Sequence, residues 1–576
     1  MKRSTPNSPA EPHHSIGRIA KQAIDPQVEF AILRLQENDP ATAEKLCQQV
    51  LESNPFDADA HDVLGILAHQ KGDWQLGLSL IDKAISLKND KTDFHGHRGI
   101  TLKALGRRQE ARLAYEKACQ LSPKSVEPIF NLAILLLEDG KYDAALKLNQ
   151  KAVKLDPQNP QAHNNLGTNL QKMGRFEEAT KSYQRAIKIN PDHHHYYNNL
   201  ATALAESDRI AAALKICDDA IARWPDYPEI YNAQANALLR KNDLGGAIKA
   251  SDNVLQRQPD HVQAHYTRGM ILLAQNKFEA GWRDYAWRER RSAFWPKRNY
   301  DAPEWQGDSL QNKTLLVHWE QGFGDIIQFS RYLPILKSAI QSDPDHLNAR
   351  VLFDCPEKLI GLFGTNFGPD EIDDWGDTPP YIDYYIPLMS LAQHFTKSED
   401  KIPNNIPYLS NCLSEHLKLP IEDPGMLKIG LTWASDHGDT YRRKVCDLKK
   451  LARIFKLDNC VFYGLQYGED GKAIKRYEKA DNVINLGNDL GDFTHTAAII
   501  SQLDLIISID TYIVHLAGAM NIPTWVMLAF SPDWRWQLNR SDSPWYPSMR
   551  LFRQPKPGDW NSLISEITRA LDDYRR

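Results

Sequence analysis

A proline returns every 34 residues through the first half of this chain, at positions 55, 123, 157, 191, 225 and 259, with Asn89 in the one remaining slot. Small residues keep the same register: Gly65, Gly99, Ala133, Gly167, Ala201, Ala235 and Gly269 form one series, and Ala43, Gly77, Ala111, Ala145, Ala179, Ala213, Ala247 and Gly281 a second. A third, Ala84, Ala118, Ala152, Ala186 and Ala220, follows the second by seven residues. One repeat of this length cannot bury its own apolar face, so it must stack on its neighbours. The small residues let two antiparallel helices approach closely, and the proline stops the second helix before the next repeat begins. The register predicts an α-solenoid of eight repeats over residues 24–291, preceded by a short tail at 1–23.

Composition bounds the rest. Of 14 tryptophans only Trp74 and Trp224 precede residue 281, so two chemically different halves meet near residue 290. A 42% hydrophobic, 25% charged chain is globular, and a net charge of −5 argues against a partner bound by neutralising nucleic-acid phosphates. Seven cysteines, at 47, 119, 217, 355, 412, 446 and 460, lack CxxC spacing and fit a reducing compartment better than a disulfide framework. No apolar run follows the basic N-terminal residues, and none approaches a membrane span. These features predict a soluble, cytoplasmic protein.

The stretch GHRGITLKALGRRQEARLAYEKACQLSP at 96–123 resembles the tetratricopeptide repeat (TPR) family, and the resemblance extends over all eight repeats. It implies a superhelix whose concave side, lined by the first helix of each repeat, binds a protein or peptide. One inner position reads Asn131, Asn165 and Asn199 in consecutive repeats. An amide donates to and accepts from a peptide backbone at once, so such a ladder can hold an extended chain; asparagine is equally an ordinary consensus residue there. The ladder is similar to that of protein O-linked N-acetylglucosamine transferases. His193, His194 and His195 follow the Pro191 turn and point in different directions, which favours a solvated or groove-lining role over metal binding.

After a linker at 292–312 the helical period gives way to short apolar runs at 314–318, 349–353, 384–386, 428–432, 460–465, 482–486, 505–509 and 524–529. Strands alternating with helices predict parallel sheets with ligands at the strand C-termini. We read two Rossmann-like lobes, at 313–415 and 416–576, divided at the proline-bearing segment 403–423.

Two loops carry the candidate chemistry. The run Gly322-Phe323-Gly324-Asp325 leads from the first strand into a helix expected over Ile326 to Leu336. Its glycines permit close backbone approach to a ligand, and Asp325 can act as a base or simply cap the helix. Glu320, in the same loop, is paired with it as catalytic. The second loop, Asp510-Thr511-Tyr512-Ile513-Val514-His515, also joins a strand to a helix; its N–H groups and the Thr511 hydroxyl can hold a diphosphate. His515 lies one helical turn in and can equally be a packing residue. Arg442, Arg443 and Lys444 are candidate charges for the same anion, or an exposed basic run.

The GD pair with Pro334 nine residues on, and DTxxxH before LAGA, resemble the bacterial heptosyltransferase-like glycosyltransferases, above all the members fused to TPR arrays, whose tails are similar to residues 531–554. The resemblance implies a GT-B fold and metal-independent transfer from a nucleotide-sugar co-substrate, with no cofactor. It casts Asp325 as base, and Gly322, Gly324, Asp510, Thr511, Tyr512, His515 and the 442–444 run as donor site. Trp433 and Gln466 follow their strands and are expected to contact the nucleoside; Asn131, Asn165 and Asn199 would hold a protein acceptor. Tyr512 is bulky where relatives carry a small residue, which leaves open a catalytically inactive TPR scaffold; an enzyme acting on a surface glycan is a further alternative. Asp343 and Asp345 form a DxD-like pair in a polar loop and are not assigned a metal.

Overall fold

The computed structural model describes residues 24–291, 296–367, 372–410, 419–420, 425–435, 442–478 and 480–574. The tail at 1–23, linker residues 292–295 and the lobe boundary at 415 lie outside the described residues. Two compact units are present, Met1–Ser207 with Asp218–Trp224 and Asp208–Cys217 with Pro225–Arg576.

The first unit contains the helical pairs from α1 (Pro26–Gln36) to α11 (His194–Glu206). Proline at the first position and a side-chain cap start several of them: Asn159 accepts the Ala162 N–H at 3.0 Å just before Pro160. The turn inside each pair needs one residue in the left-handed region, and Asn38, Gly72, Gly106, Gly140 and Gly174 supply it with φ of 61°, 85°, 75°, 71° and 68°. This is another 34-residue series. The small residues do what their register predicts. Ala43, Ala111, Ala145 and Ala179 are fully buried, as are Ala84, Ala118, Ala152 and Ala186. A Cβ on Gly99 would stand 2.4 Å from the Tyr115 ring, and one on Gly167 2.7 Å from that of Tyr183. Gly99→Val is therefore expected to destabilise this unit by about 1–3 kcal/mol, the usual cost of overpacking. An unchanged thermal midpoint would show that the ring moves freely aside.

The second unit holds α13 (Pro228–Arg240), α14 (Leu244–Arg257), α15 (Val262–Ala274) and α16 (Phe278–Tyr285), followed by two parallel sheets. Asn242 and Asn276 take the left-handed turn here, at φ 62° and 61°. In the first sheet the order is β3-β2-β1-β4, with β1 Thr314–His318, β2 Arg350–Asp354, β3 Ile372–Asp373 and β4 Tyr384–Pro387. The second is ordered β10-β9-β8-β5-β6-β7: β5 Leu427–Thr432, β6 Cys460–Gly464, β7 Val483–Asn485, β8 Leu505–Ile509, β9 Thr524–Leu528 and β10 Met549–Arg553. Strands β3 and β10 are additions to the sequence reading; the former is two residues long and the latter lies in the tail.

The single helix expected over 326–336 is two, α17 (Phe323–Phe329) and a second at Tyr332–Ser342. Arg331 sits at the break, 2% exposed, donating to the carbonyls of Gln328, Pro403 and Trp545 at 2.8, 3.0 and 2.7 Å. Those bonds tie the helix break to the tail and satisfy a buried cation.

The aromatic last repeat shares one core with both sheets. Trp282 meets the rings of Phe329 and Trp534 edge-on at 6.2 and 5.4 Å, and its indole N–H donates to the Thr396 carbonyl at 2.8 Å. The second compact unit thus takes in the last repeats together with both sheets.

Candidate functional site

Each sheet has one place where the strand order reverses, and in parallel α/β sheets that is where a crevice opens at the strand C-termini. In the second sheet it lies between β5 and β8, at Thr432 and Ile509. The Thr432 and Ser508 hydroxyls bond each other across it, and Ser508 donates onward to the Ile509 carbonyl at 2.7 Å. Thr511 then N-caps the helix Tyr512–Ala519 without a capping bond from its side chain, so the first-turn N–H groups have no side-chain acceptor among the described residues. Lys444 reaches the same point and pairs with Asp510. Burial pushes the Asp510 carboxyl up, but Lys444, His515 and Arg535 outweigh it and hold it at about 2.

In the first sheet the corresponding crevice, between β1 and β4, is filled. Arg288, from the turn that ends the last repeat, inserts there at 2% exposure and grips Glu320 through two bonds of 2.9 and 2.6 Å. It also donates to Ser390 at 2.7 Å, and Glu320 accepts the Met389 N–H at 2.9 Å. The expected catalytic role of Glu320 gives way here to a structural one: it is fully buried and both oxygens are committed.

Asp325 occupies the first turn of α17. One oxygen accepts the Gly322 N–H at 3.3 Å; the other accepts from Arg535 at 2.6 Å. Gly322 is the N-cap residue of this helix, and the preceding Gln321 takes φ 64°, an uncommon conformation for a side-chain-bearing residue. Gly324 is required for packing, since a Cβ there would lie 2.8 Å from the His515 ring. The close contact sets α17 against the helix Tyr512–Ala519 and brings Asp325, His515, Asp510 and Lys444 into one cluster with Arg535. Arg535 is the member that sequence reasoning missed; an arginine between Trp534 and Trp536 was its only local signal. Asp533 lies 3.2 Å from its Nε. Burial opposes the charge on Arg535, but Asp533, Asp325 and Asp510 hold it firmly protonated.

His515 is 2% exposed, stacks on Trp536 at 5.7 Å, and its Nδ1 is 3.1 Å from the Tyr546 hydroxyl. Burial, then the nearby Arg535 charge, push its pKa down to about 3, so the ring is neutral at physiological pH and positions its neighbours. Since an ordinary histidine titrates near 6.5, the unfolded chain takes up a proton that the folded one refuses between those values. This contribution to stability is present above pH 6.5 and is lost as pH falls toward 3; Asp510 adds a loss of the same sign between 3.8 and 2. Near-UV circular dichroism of the tryptophans should report it, and His515→Phe should flatten the upper part of that loss. An unchanged slope would mean His515 is not its source.

The remaining expectations divide. Trp433 is 3% exposed and Gln466 8%, and the Gln466 amide oxygen accepts the N–H groups of Trp433 and Ala434 at 3.2 and 2.9 Å. Both form the floor of the crevice instead of offering a nucleoside a free surface; the neighbouring Tyr467, 62% exposed, is the accessible ring. Tyr512 packs edge-on against Phe493 at 5.2 Å. Arg442, Arg443 and Lys444 form one 3-10 turn, in which the Arg442 side chain lies outside the described residues. Asp343 caps the turn Pro344–His346 in an exposed loop.

In the first unit, Asn131, Asn165 and Asn199 occupy successive first helices, α7 (Glu127–Glu138), α9 (Pro160–Lys172) and α11. They are not equivalent. Asn199 donates to Asn164 at 2.9 Å, whereas Asn165 accepts from Gln161 at 2.8 Å and keeps a buried amide nitrogen with no acceptor among the described residues. His193 stacks on Tyr196 at 4.3 Å.

Tetratricopeptide repeat models match residues 28–93, 92–125, 114–147, 160–193, 195–224 and 232–285, and a TPR repeat model matches 135–174. Protein FlbA of Caulobacter vibrioides is 27% identical over 336 residues, 52% of this chain and 54% of its own. This chain thus spans about half the length of that curated relative. Among solved structures, YrrB, described as a TPR protein with an unusual peptide-binding site, is 20% identical and covers 33% of this chain and 97% of its own at a TM-score of 0.27. PilF of Pseudomonas aeruginosa, 19% identical, covers 36% and 95% at 0.33. A tetratricopeptide repeat protein of Parabacteroides merdae, 14% identical, covers 43% and 97% at 0.37. From residue 28 to residue 285, this chain is built of tetratricopeptide repeats.

Proposed function

We propose that the chain is a metal-independent glycosyltransferase of the GT-B type, which moves a sugar from a nucleotide-sugar to a protein hydroxyl presented by its TPR groove. The observation that carries this reading is the meeting of Asp325 with the uncapped start of the helix Tyr512–Ala519, where Lys444 and Arg535 converge. Asp325 takes the proton of the acceptor hydroxyl as its oxygen bonds to the anomeric carbon. The bond from that carbon to the diphosphate breaks, and the electron pair leaves with the nucleoside diphosphate. Its growing charge is met by the first-turn N–H groups, the Thr511 hydroxyl and Lys444, which do the work a metal does elsewhere. Tyr467 offers an exposed ring for the base.

Labelled UDP-, GDP-, ADP- and CMP-sugars incubated with the protein and a peptide library test the reading; neither hydrolysis nor transfer with any of them would sink it. Lys444→Gln is expected to weaken nucleoside diphosphate binding by roughly tenfold or more, the size of one charge-assisted hydrogen bond. Titration calorimetry at low and high salt checks this, since the lost part should be the salt-sensitive part.

One observation favours a second reading, a TPR scaffold with an inactive second half. Lys444 is paired to Asp510 and Arg535 to Asp325, so both cations are neutralised internally. Absence of nucleotide binding, with peptide binding retained, would select it.

A further inference from the structure

The loop that carries Asp533 and Arg535 is held by the last two repeats. Asn242 donates to the Phe530 carbonyl at 2.8 Å, Ser531 to the Leu239 carbonyl at 3.2 Å, and Gln537 to Asn276 at 2.5 Å. Helix α15 packs on the turn Trp534–Trp536. One residue of that helix, Tyr266, stacks on Tyr285 at 5.4 Å and is close enough to Asp533, Asp325 and Arg535 for their charges to act on its phenol. The Tyr266 hydroxyl makes no hydrogen bond among the described residues. Above the ring lies Arg291, its guanidinium carbon 4.0 Å from the centroid and its Nε donating to Gln263 at 3.1 Å. The two terminal nitrogens of Arg291 have neither hydrogen bond nor ion pair among the described residues. Three other buried arginines of this unit are engaged: Arg535 on Asp325 and Asp533, Arg288 on Glu320, Arg331 on backbone carbonyls.

We infer that Tyr266 and Arg291 form an acceptor subsite contributed by the last repeat, in which the guanidinium pairs with a carboxylate next to the hydroxyl to be modified. The inference rests on the transferase reading and specifies its substrate: an extended protein segment in which an acidic residue neighbours the serine or threonine. Held over the Tyr266 ring and bonded through Nε to Gln263, the guanidinium keeps its two terminal nitrogens for a two-bond grip on a carboxylate, which a lysine cannot reproduce. Both residues act by positioning, since the proton goes to Asp325.

The test uses the full chain and three fluorescein-labelled peptides with one serine flanked by glutamate, glutamine or lysine, followed by anisotropy at low salt. The glutamate peptide is expected to bind roughly tenfold tighter than the glutamine peptide, as one charge-assisted pair allows. Arg291→Gln should remove that preference, Arg291→Lys should keep part of it, and Arg291→Glu should turn it toward the lysine peptide. A merely structural Arg291 would not produce the reversal. Equal binding of the three peptides, or a preference that survives Arg291→Gln, overturns the subsite. Nucleoside diphosphate titration of the same samples keeps the two ideas apart: a charge preference that follows residue 291 without any nucleotide binding supports the peptide subsite and rejects the transferase.

Discussion

Arg288→Leu is expected to destabilise the second unit by about 3–5 kcal/mol, because it strands the fully buried Glu320 carboxylate without its cation. The pair is 2% and 0% exposed, and among the described residues the carboxylate accepts from Arg288 and the Met389 N–H. Burial alone would favour deprotonation of Arg288; the adjacent Glu320 overrides this and holds it charged. Removing both partners is a different matter. The double change Arg288→Leu/Glu320→Leu should recover most of the loss, since the crevice then holds apolar groups of similar volume. Denaturant unfolding followed by tryptophan fluorescence is a suitable probe, as twelve of the 14 tryptophans lie between Trp282 and Trp560. If the double variant is no more stable than Arg288→Leu alone, the stranded charge is not the cause. The result bears on architecture too, because the pair is one of the struts between the end of the repeats and the first sheet.

Asp325→Asn is expected to lower sugar transfer by roughly 10²–10⁴, the range found when a positioned general base is lost. Nucleoside diphosphate affinity should stay level or rise, because the change removes a negative charge next to an anion site and releases Arg535 from its partner. That split between turnover and binding separates a base from a structural cap. A cap alone contributes about 1 kcal/mol to its helix, and its loss would show as a lowered melting point with turnover intact. Transfer at wild-type rate by Asp325→Asn would end the assignment.

The repeats were legible in the sequence because their information is local. Proline, alanine and glycine at fixed offsets each answer a requirement that arises within one repeat or between adjacent ones. Even the left-handed turn series Asn38, Gly72, Gly106, Gly140 and Gly174, absent from the sequence reading, was there to be found. Strand positions were also readable, since buried parallel strands are short apolar runs. What was not readable was which polar residues face each other. Gln466 and Trp433 follow their strands like ligand contacts, but the amide is consumed by the crevice floor. Glu320 sits five residues before Asp325 and looks like its partner, yet an arginine 32 positions earlier claims it. Arg535, 210 positions after Asp325, is the true neighbour.

The sequence by itself determined the helical array, its register, the alternation of strands and helices and the two strand-to-helix loops that carry the candidate chemistry, because period and local backbone requirements act over a few residues. Only the tertiary structure decided that one crevice is filled by Arg288, that the last repeat belongs with the sheets, and that Asp325 faces Arg535. Those outcomes depend on how buried charges find partners across long stretches of chain, where Coulomb attraction and desolvation compare alternatives that no local pattern records.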